Sequence, residues 1–256
     1  MQIVTLTTDF GLKDHYVGVL KGTILSKKPD LNIVDITHEV ETHDIVQAAF
    51  HITNAYETFP KGTIHLVAVY SYYQANFQFV IFEKNGHYFV GPNNGVFSLI
   101  FDDLETTEIH TIDYDNQLDY KIQQIMSHGV ACLAHGLGMD EIGPKLEEVV
   151  RKIGIQPVVT KDQIRATVIH IDHFDNVVIN LKKSLFDKKR EGRNFSLFYR
   201  QNDPITVISE GYHDSHIGDV LCFFNAADYM EIAINMGRAS ELLGLKKNET
   251  VQINFF

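Results

Sequence analysis

Apolar positions recur along this chain with two different periods, and the change from one to the other falls near residue 154. Ile3 to Leu6 is a short apolar run that predicts a strand, and behind it Val17, Leu20 and Ile24 fall at helical spacing. Pro29-Asp30 breaks that helix, and Asn32 to Ile36 reads as a second buried strand ending at Thr37-His38. Asp44 precedes Ile45, Ala48, Ala49 and Ile52, an amphipathic helix closed near Pro60-Lys61-Gly62. Thr63 to Val69 is almost wholly apolar, as a parallel strand covered on both faces requires. Phe77 to Glu83 and His87 to Val90 flank Asn85-Gly86, a strong hairpin signal. Ile122 to Leu137 and Leu146 to Ile153 show helical spacing before Gly154-Ile155-Gln156-Pro157 breaks it.

Beyond that break the period shortens. Ile164 to Ile171, Asn176 to Leu181, Phe195 to Tyr199, Ile205 to Ile208, Val220 to Phe224, Tyr229 to Asn235 and Val251 to Phe255 are β-type runs, interrupted by a helical piece at Ala239 to Leu243. The expected fold class is α/β. Residues 1–154 form an N-terminal doubly wound α/β domain, 155–161 a linker, and 162–256 a small antiparallel β-barrel-like domain.

With 256 residues, 45% of them hydrophobic, the chain can bury a sizeable core. Lys and Arg number 22 against 33 Asp and Glu, and the net charge of −11 repels phosphate backbones and anionic lipid. Neither nucleic acid nor a membrane is an expected partner. The one basic run, Lys182-Lys183 with Lys188-Lys189-Arg190 and Arg193, has no interleaved aromatic residues and reads as a solvated turn. Cys132 and Cys222 lie far apart without CxxC spacing and read as reduced core residues. Met1-Gln2-Ile3-Val4 has no charged region followed by an apolar one, and no stretch approaches the ~18 apolar residues of a membrane span. A cytoplasmic location is the expectation.

Asp9 lies where a strand hands over to a helix, the crevice in which open α/β sheets bind ligands. A carboxylate there either accepts two hydrogen bonds from a ribose diol or only caps the helix and braces its loop. Gly91-Pro92-Asn93-Asn94-Gly95 either lines a polar pocket or makes a tight bend. Among thirteen histidines the densest cluster is His170-Ile171-Asp172-His173. On a strand His170 and Asp172 face one way and His173 the other, so one cation cannot easily collect all three. His213 and His216 flank a loop without the spacing of a zincin. Neither a metal nor a cofactor is expected, and the missing GxSxG, Walker and GxGxxG motifs argue against serine hydrolases, P-loop enzymes and nicotinamide enzymes.

Taken together, Thr7-Thr8-Asp9-Phe10-Gly11 with Tyr16-Val17-Gly18 and Lys21-Gly22, His38 followed by Asp44-Ile45, and Pro92-Asn93-Asn94-Gly95 resemble one known family. Ile171-Asp172-His173-Phe174-Asp175-Asn176 and Asn225 with Glu231-Ile232-Ala233 point the same way. It is the S-adenosylmethionine hydroxide adenosyltransferases, whose relatives include fluorinases and chlorinases. The resemblance implies a homotrimer that binds S-adenosylmethionine between the α/β domain of one subunit and the β domain of its neighbour. A nucleophile then attacks C5′ of the ribose and expels methionine, giving adenosine from water or hydroxide and a halogenated nucleoside from halide. Carried over, Asp9 with Phe10 is the ribose end of the site, Asn94 belongs to its polar wall, and His43 flanks the ligand where halogenating relatives carry tryptophan. Asp172, Phe174 and Asn176 form the purine and methionine wall, with Asn235 near the segment that meets adenine. On spacing alone, Phe174 and Asn176 read as a turn between strands.

The sequence departs from the family at the reaction centre. Hydrolytic members follow the third strand with Asp-Pro-Gly-Val-Gly and an arginine, where this chain has Tyr70-Ser71-Tyr72-Tyr73-Gln74 and Phe77. Tyrosine at position 70 is shared with the halogenating branch. Ser127-His128-Gly129 resembles the family's His-Gly pair, and His128 is either a general base or a helix-face histidine without a role. The first expectation is therefore slow hydrolysis of S-adenosylmethionine, or of a close nucleoside, with water positioned by His128, Tyr70 or Tyr72. The alternatives are a non-catalytic nucleoside-binding protein, a halide-using synthase, and a metal-dependent hydrolase built on His170 and Asp172.

Overall fold

A computed structural model describes residues 2–71, 77–114, 122–200 and 203–256, and the chain divides into Met1–Gly154 and Ile155–Phe256. The first unit contains β1 (Ile3–Thr8), α1 (Tyr16–Lys27), β2 (Asn32–Thr37), α2 (Ile45–Ala55), β3 (Ile64–Ala68), β4 (Phe79–Lys84), β5 (His87–Pro92), α3 (Val96–Ile100), β6 (Ile109–Thr111), α4 (Ile122–Ala134) and α5 (Met139–Ile142). Its sheet runs β2-β1-β3-β5-β4-β6. Neighbours are parallel from β2 to β5, and β4 is antiparallel to β5 and β6. The β4–β5 hairpin turns on Asn85 (φ 53) and Gly86 (φ 75), the left-handed pair that a two-residue turn needs.

Alternate side chains of this sheet feed two cores. Leu6, Leu66 and Ala68 meet Leu20 and Ile24 of α1 and Met126 and Val130 of α4, while Val67, Phe82 and Phe89 meet Ala48 and Ile52 of α2 and Phe97 of α3. Helices α1 and α2 thus cover opposite faces, and the winding reverses between β1 and β3. That is the topological switch point, and ligands of such sheets sit outside the strand ends there.

One predicted helix is absent. Leu146 to Ile153 is irregular, with amides taken by groups outside the segment: Leu146 N–H donates to Ile109 O (2.8 Å), Val150 N–H to Asn93 Oδ1 (2.9 Å) and Lys152 N–H to Ser98 Oγ (2.8 Å). Tertiary partners that satisfy backbone donors outweigh a weak local preference.

The second unit contains β7 (Val158–Val159), β8 (Gln163–Ile171), β9 (Val177–Lys182), α6 (Lys183–Arg190), β10 (Phe195–Phe198), β11 (Pro204–Ile205), β12 (Val220–Phe224), β13 (Tyr229–Ile234), α7 (Ala239–Leu243) and β14 (Thr250–Phe255). The strand order is β11-β10-β14-β8-β9-β13-β12, antiparallel throughout. A bridge from Ile208 to Cys222 brings the two ends together, so the sheet is a nearly closed barrel around Ile164, Val168, Ile179, Leu197, Ile232 and Ile253. The basic run read as a turn is helix α6. Phe186 anchors it in the barrel core, Lys188, Lys189 and Arg190 lie in its last turn, and the Arg193 guanidinium bonds Lys189 O (2.7 Å) and Arg190 O (3.3 Å). Among the described residues, no helix is long and apolar enough to cross a membrane.

Candidate functional site

β1 ends at Thr8, and α1 does not begin until Tyr16, so Asp9 opens a loop above the switch point. One of its oxygens is committed. Oδ2 accepts from the backbone N–H of His43 (3.0 Å) and of Tyr70 (3.1 Å), tying the loop after β1 to those before α2 and after β3. Both partners are left-handed, His43 at φ 68 and Tyr70 at φ 52, and their rings lie 4.8 Å apart. Such a conformation costs roughly 1 kcal/mol or more for each non-glycine residue and persists where surrounding contacts impose it. Among the described residues Oδ1 of Asp9 has no hydrogen-bond partner.

The loop around Asp9 is fixed from β2. Thr8 Oγ1 is 2.8 Å from His38 Nδ1 and accepts from Phe10 N–H (3.3 Å), while His38 O accepts from Gly11 N–H (2.8 Å) at a left-handed glycine (φ 65). His38 Nε2 lies 3.1 Å from Asp35 Oδ1, off the line of a well-aligned hydrogen bond, and Lys21 Nζ is 2.6 Å from Asp35 Oδ2. Burial would raise the Asp35 carboxyl, but Lys21 and His38 together hold it below the usual range. Phe10 packs against the α1 core and its ring lies 6.2 Å from that of Tyr16.

Asn94 is not a free polar wall. It is buried, its Nδ2 donates to Val69 O (3.0 Å) and its Oδ1 accepts from Val96 N–H (3.1 Å), so its amide braces the end of β3. Of the two readings of the Pro-Asn-Asn-Gly segment, the bend with its brace is the one the hydrogen bonds describe.

In the second unit Asp172 closes its own turn. Oδ1 accepts from Phe174 N–H (2.9 Å) and Asn176 N–H (2.8 Å), and Oδ2 accepts from Asn176 Nδ2 (3.0 Å). The turn lifts Phe174 into solvent, 73% exposed, and Asp175 (φ 70) ties it to α7 by accepting Glu241 N–H at Oδ2 (2.8 Å). Asn235 Nδ2 donates to Tyr212 O (3.1 Å) and Ser215 O (2.9 Å), holding the loop before β12. Burial raises the Tyr212 hydroxyl above the usual range, with the Glu231 and Asp172 charges adding to the shift and Asn176 opposing it, which sets Tyr212 beside the turn. Behind them Glu231 is buried, and burial raises its carboxyl above the usual range, with the Asp172 charge adding to the shift and Asn225 Nδ2 (3.1 Å) opposing it. Sequence reasoning missed Tyr212 and the chemistry of Glu231. The signal for Glu231 was a carboxylate inside the otherwise apolar strand β13, facing away from the barrel side chains Met230 and Ile232.

His128 lies on α4, which packs against α1 in the core below β1 and β3. It lines a cavity of about 490 Å³ with Lys27, Asp113, Tyr114 and Glu141. Burial, aided by Lys27, lowers the affinity of His128 for a proton. Its neighbour Gly129 has a packing reason: a Cβ there would lie 2.6 Å from Ile112 Cδ1, so glycine lets α4 approach the segment after β6. Tyr72 lies outside the described residues. Among the described residues no group of three or more His, Cys, Asp or Glu side chains could hold a metal ion.

Comparisons with known proteins add to this geometry. Residues 4–143 match the family model described as the SAM hydroxide adenosyltransferase N-terminal domain, and residues 166–252 match its C-terminal domain. The chain is 29% identical to the (R)-S-adenosyl-L-methionine hydrolase of Methanocaldococcus jannaschii, over 99% of this chain and 96% of the relative. It is 25% identical to the fluorinase of Nocardia brasiliensis, over 98% and 96% of the two chains. An uncharacterised conserved protein from Thermotoga maritima superposes with a TM-score of 0.84 at 29% identity, over 99% of this chain and all of that one.

Proposed function

Since this chain belongs to the SAM hydroxide adenosyltransferase family, we propose that it binds S-adenosylmethionine and cleaves the bond between sulfur and C5′, giving adenosine and methionine. The single observation that carries the reading is Asp9: a carboxylate at the switch point with one oxygen pinned by two loops and the other left for a ligand hydroxyl. In the reaction a water oxygen forms the bond to C5′, the C5′–S pair returns to sulfur as neutral thioether, and the water proton leaves to solvent. Because the positive charge of the sulfonium disappears in that step, the site gains most by aligning water behind C5′ and excluding the rest of the solvent. Tyr70, fixed through its own backbone to Asp9, and His43 beside it flank that line.

The loop bearing Asp172, Phe174 and Asn176, supplied by a neighbouring copy in a homotrimer, covers the base and the amino acid. Support comes from exposed apolar side chains on linked loops of the second unit: Phe174, Ile217 and Met236 are 73%, 79% and 85% exposed. Asn235 and Asp175 tie those loops together.

The test is chromatography of purified protein incubated with S-adenosylmethionine, where adenosine and methionine form in equal amounts and chloride or fluoride yields no halogenated nucleoside. Turnover is slow, because the aspartate and arginine expected of hydrolytic relatives are Tyr70 and Phe77. Binding without product would favour the non-catalytic reading, and no binding would remove both. His128→Ala decides between the two readings of this histidine: loss of a general base lowers product formation by roughly 10²–10⁴-fold, whereas loss of a helix-face residue leaves it within about twofold of wild type.

A further inference from the structure

We propose that Thr8 and His38 are positioning residues that set the selectivity of this site for a ribose diol, acting through Asp9 and resting on the nucleoside reading above. Asp9 stands between two attachments, and both are made to residue 38: the Thr8 hydroxyl to His38 Nδ1 (2.8 Å) and the Gly11 N–H to His38 O (2.8 Å). The proton assignment follows from the partners. Nε2 stands 3.1 Å from the Asp35 carboxylate, off the line of a hydrogen bond, but that negative charge favours a hydrogen on it, so Nδ1 is assigned as the acceptor of the Thr8 hydroxyl. The Thr8 oxygen then keeps a lone pair for Phe10 N–H (3.3 Å), which closes the turn around Asp9.

Thr8 Oγ1 donates to His38 and accepts from Phe10, and both Thr8 and His38 are buried, so water cannot substitute for a lost partner. With the turn closed and Oδ2 held by His43 and Tyr70, the second oxygen of Asp9 has a fixed direction. Without Thr8 Oγ1 the turn opens and the carboxylate rotates, although every group that touches a ligand remains.

The experiment is calorimetric titration of the full chain with adenosine and with 2′,3′-dideoxyadenosine, which lacks the diol. Wild type prefers adenosine. Thr8→Val, nearly isosteric, and His38→Phe, which keeps a ring but neither nitrogen, each reduce that preference about tenfold by weakening adenosine alone, the equivalent of one net hydrogen bond. Thr8→Ser, which restores the hydroxyl, returns the wild-type ratio. A purely structural role would weaken both ligands together, and that result, or an unchanged ratio in Thr8→Val, overturns the proposal while leaving the nucleoside reading intact. A wild-type protein that binds the two ligands equally overturns the diol reading itself and the proposal with it.

Discussion

Asp9→Ala weakens adenosine binding at least a hundredfold and also lowers the unfolding midpoint of the ligand-free protein. The two losses have different origins. The binding loss follows from removing the acceptor for a ribose hydroxyl, since a hydrogen bond to a charged group contributes about 1.5–3 kcal/mol and a partner left unsatisfied adds to the deficit. The stability loss follows from Oδ2, which accepts two backbone N–H groups, of His43 and Tyr70, both held at positive φ. With the carboxylate gone the two amides must find water or relax their loops, at a combined cost of about 2–4 kcal/mol. Asp9→Asn separates the two effects. Its amide oxygen still accepts from both loops, so the midpoint recovers most of the way, while the loss of charge leaves adenosine about tenfold weaker than wild type. Calorimetry on the three proteins, with and without adenosine, gives both quantities. If Asp9→Ala binds adenosine as wild type does, the carboxylate is only a brace between loops and the nucleoside reading loses its main support.

The sequence carried the scaffold further than the site. Alternation and helical spacing were enough to place β1 with α1, Asp44 as the cap of α2, the Asn-Gly hairpin and the barrel strands, because each rests on a local period or turn preference that burial reinforces. Leu146 to Ile153 misled for the opposite reason: its apolar spacing fits a helix, but the acceptors for its amides lie on Ile109, Asn93 and Ser98, which no local rule can see. The same limit applies to the candidate site. Position 9 was legible from a strand giving way to a loop, and the structure adds that one of its oxygens is shared between His43 and Tyr70, 34 and 61 residues away. Asn94 was legible at a turn, and Asp172 and Asn235 through the family resemblance, but which of them faces a ligand and which closes its own loop depends on hydrogen-bond partners, and all three use their side chains on backbone. For the His128-Gly129 pair, the structure adds a packing reason for the glycine that the sequence could not show, the approach of α4 to Ile112.

Stability falls between pH 6.5 and pH 4.5 by about 2–3 kcal/mol through a single buried imidazole, His65, at about 1.4 kcal/mol per pH unit. His65 is 1% exposed, and burial, with the neighbouring His87 ring, lowers its pKa to about 3. The hydrogen bonds run one way. Lys61 Nζ stands 3.5 Å from His87 Nε2, His87 Nδ1 is 3.1 Å from His65 Nε2, and His65 Nδ1 is 2.7 Å from Thr5 Oγ1. With an ammonium at the head of the line, each imidazole accepts on one nitrogen and donates from the other, and a further proton would turn an acceptor into a second donor facing a donor. Both histidines therefore stay neutral in the folded chain, and burial together with Lys61 lowers the pKa of His87 as well. In the unfolded chain His65 titrates near its ordinary value. Above pH 6.5 neither state holds the extra proton and His65 adds no pH dependence; below it the unfolded state gains a proton that the native state refuses, until the loss levels off near pH 3. Carboxylates held low by cationic partners, such as Asp35 beside Lys21, contribute their own loss only at the acid end of this range. His65→Asn, which retains a donor toward Thr5 and cannot titrate, isolates the histidine. Urea denaturation at pH 7.5 and 4.5 gives a difference for this variant smaller than wild type by about 2 kcal/mol or more, even though it is less stable at neutral pH. Equal differences in the two proteins would mean that His65 takes up its proton in the folded state, and that the line from Lys61 to Thr5 tolerates a charge at its centre.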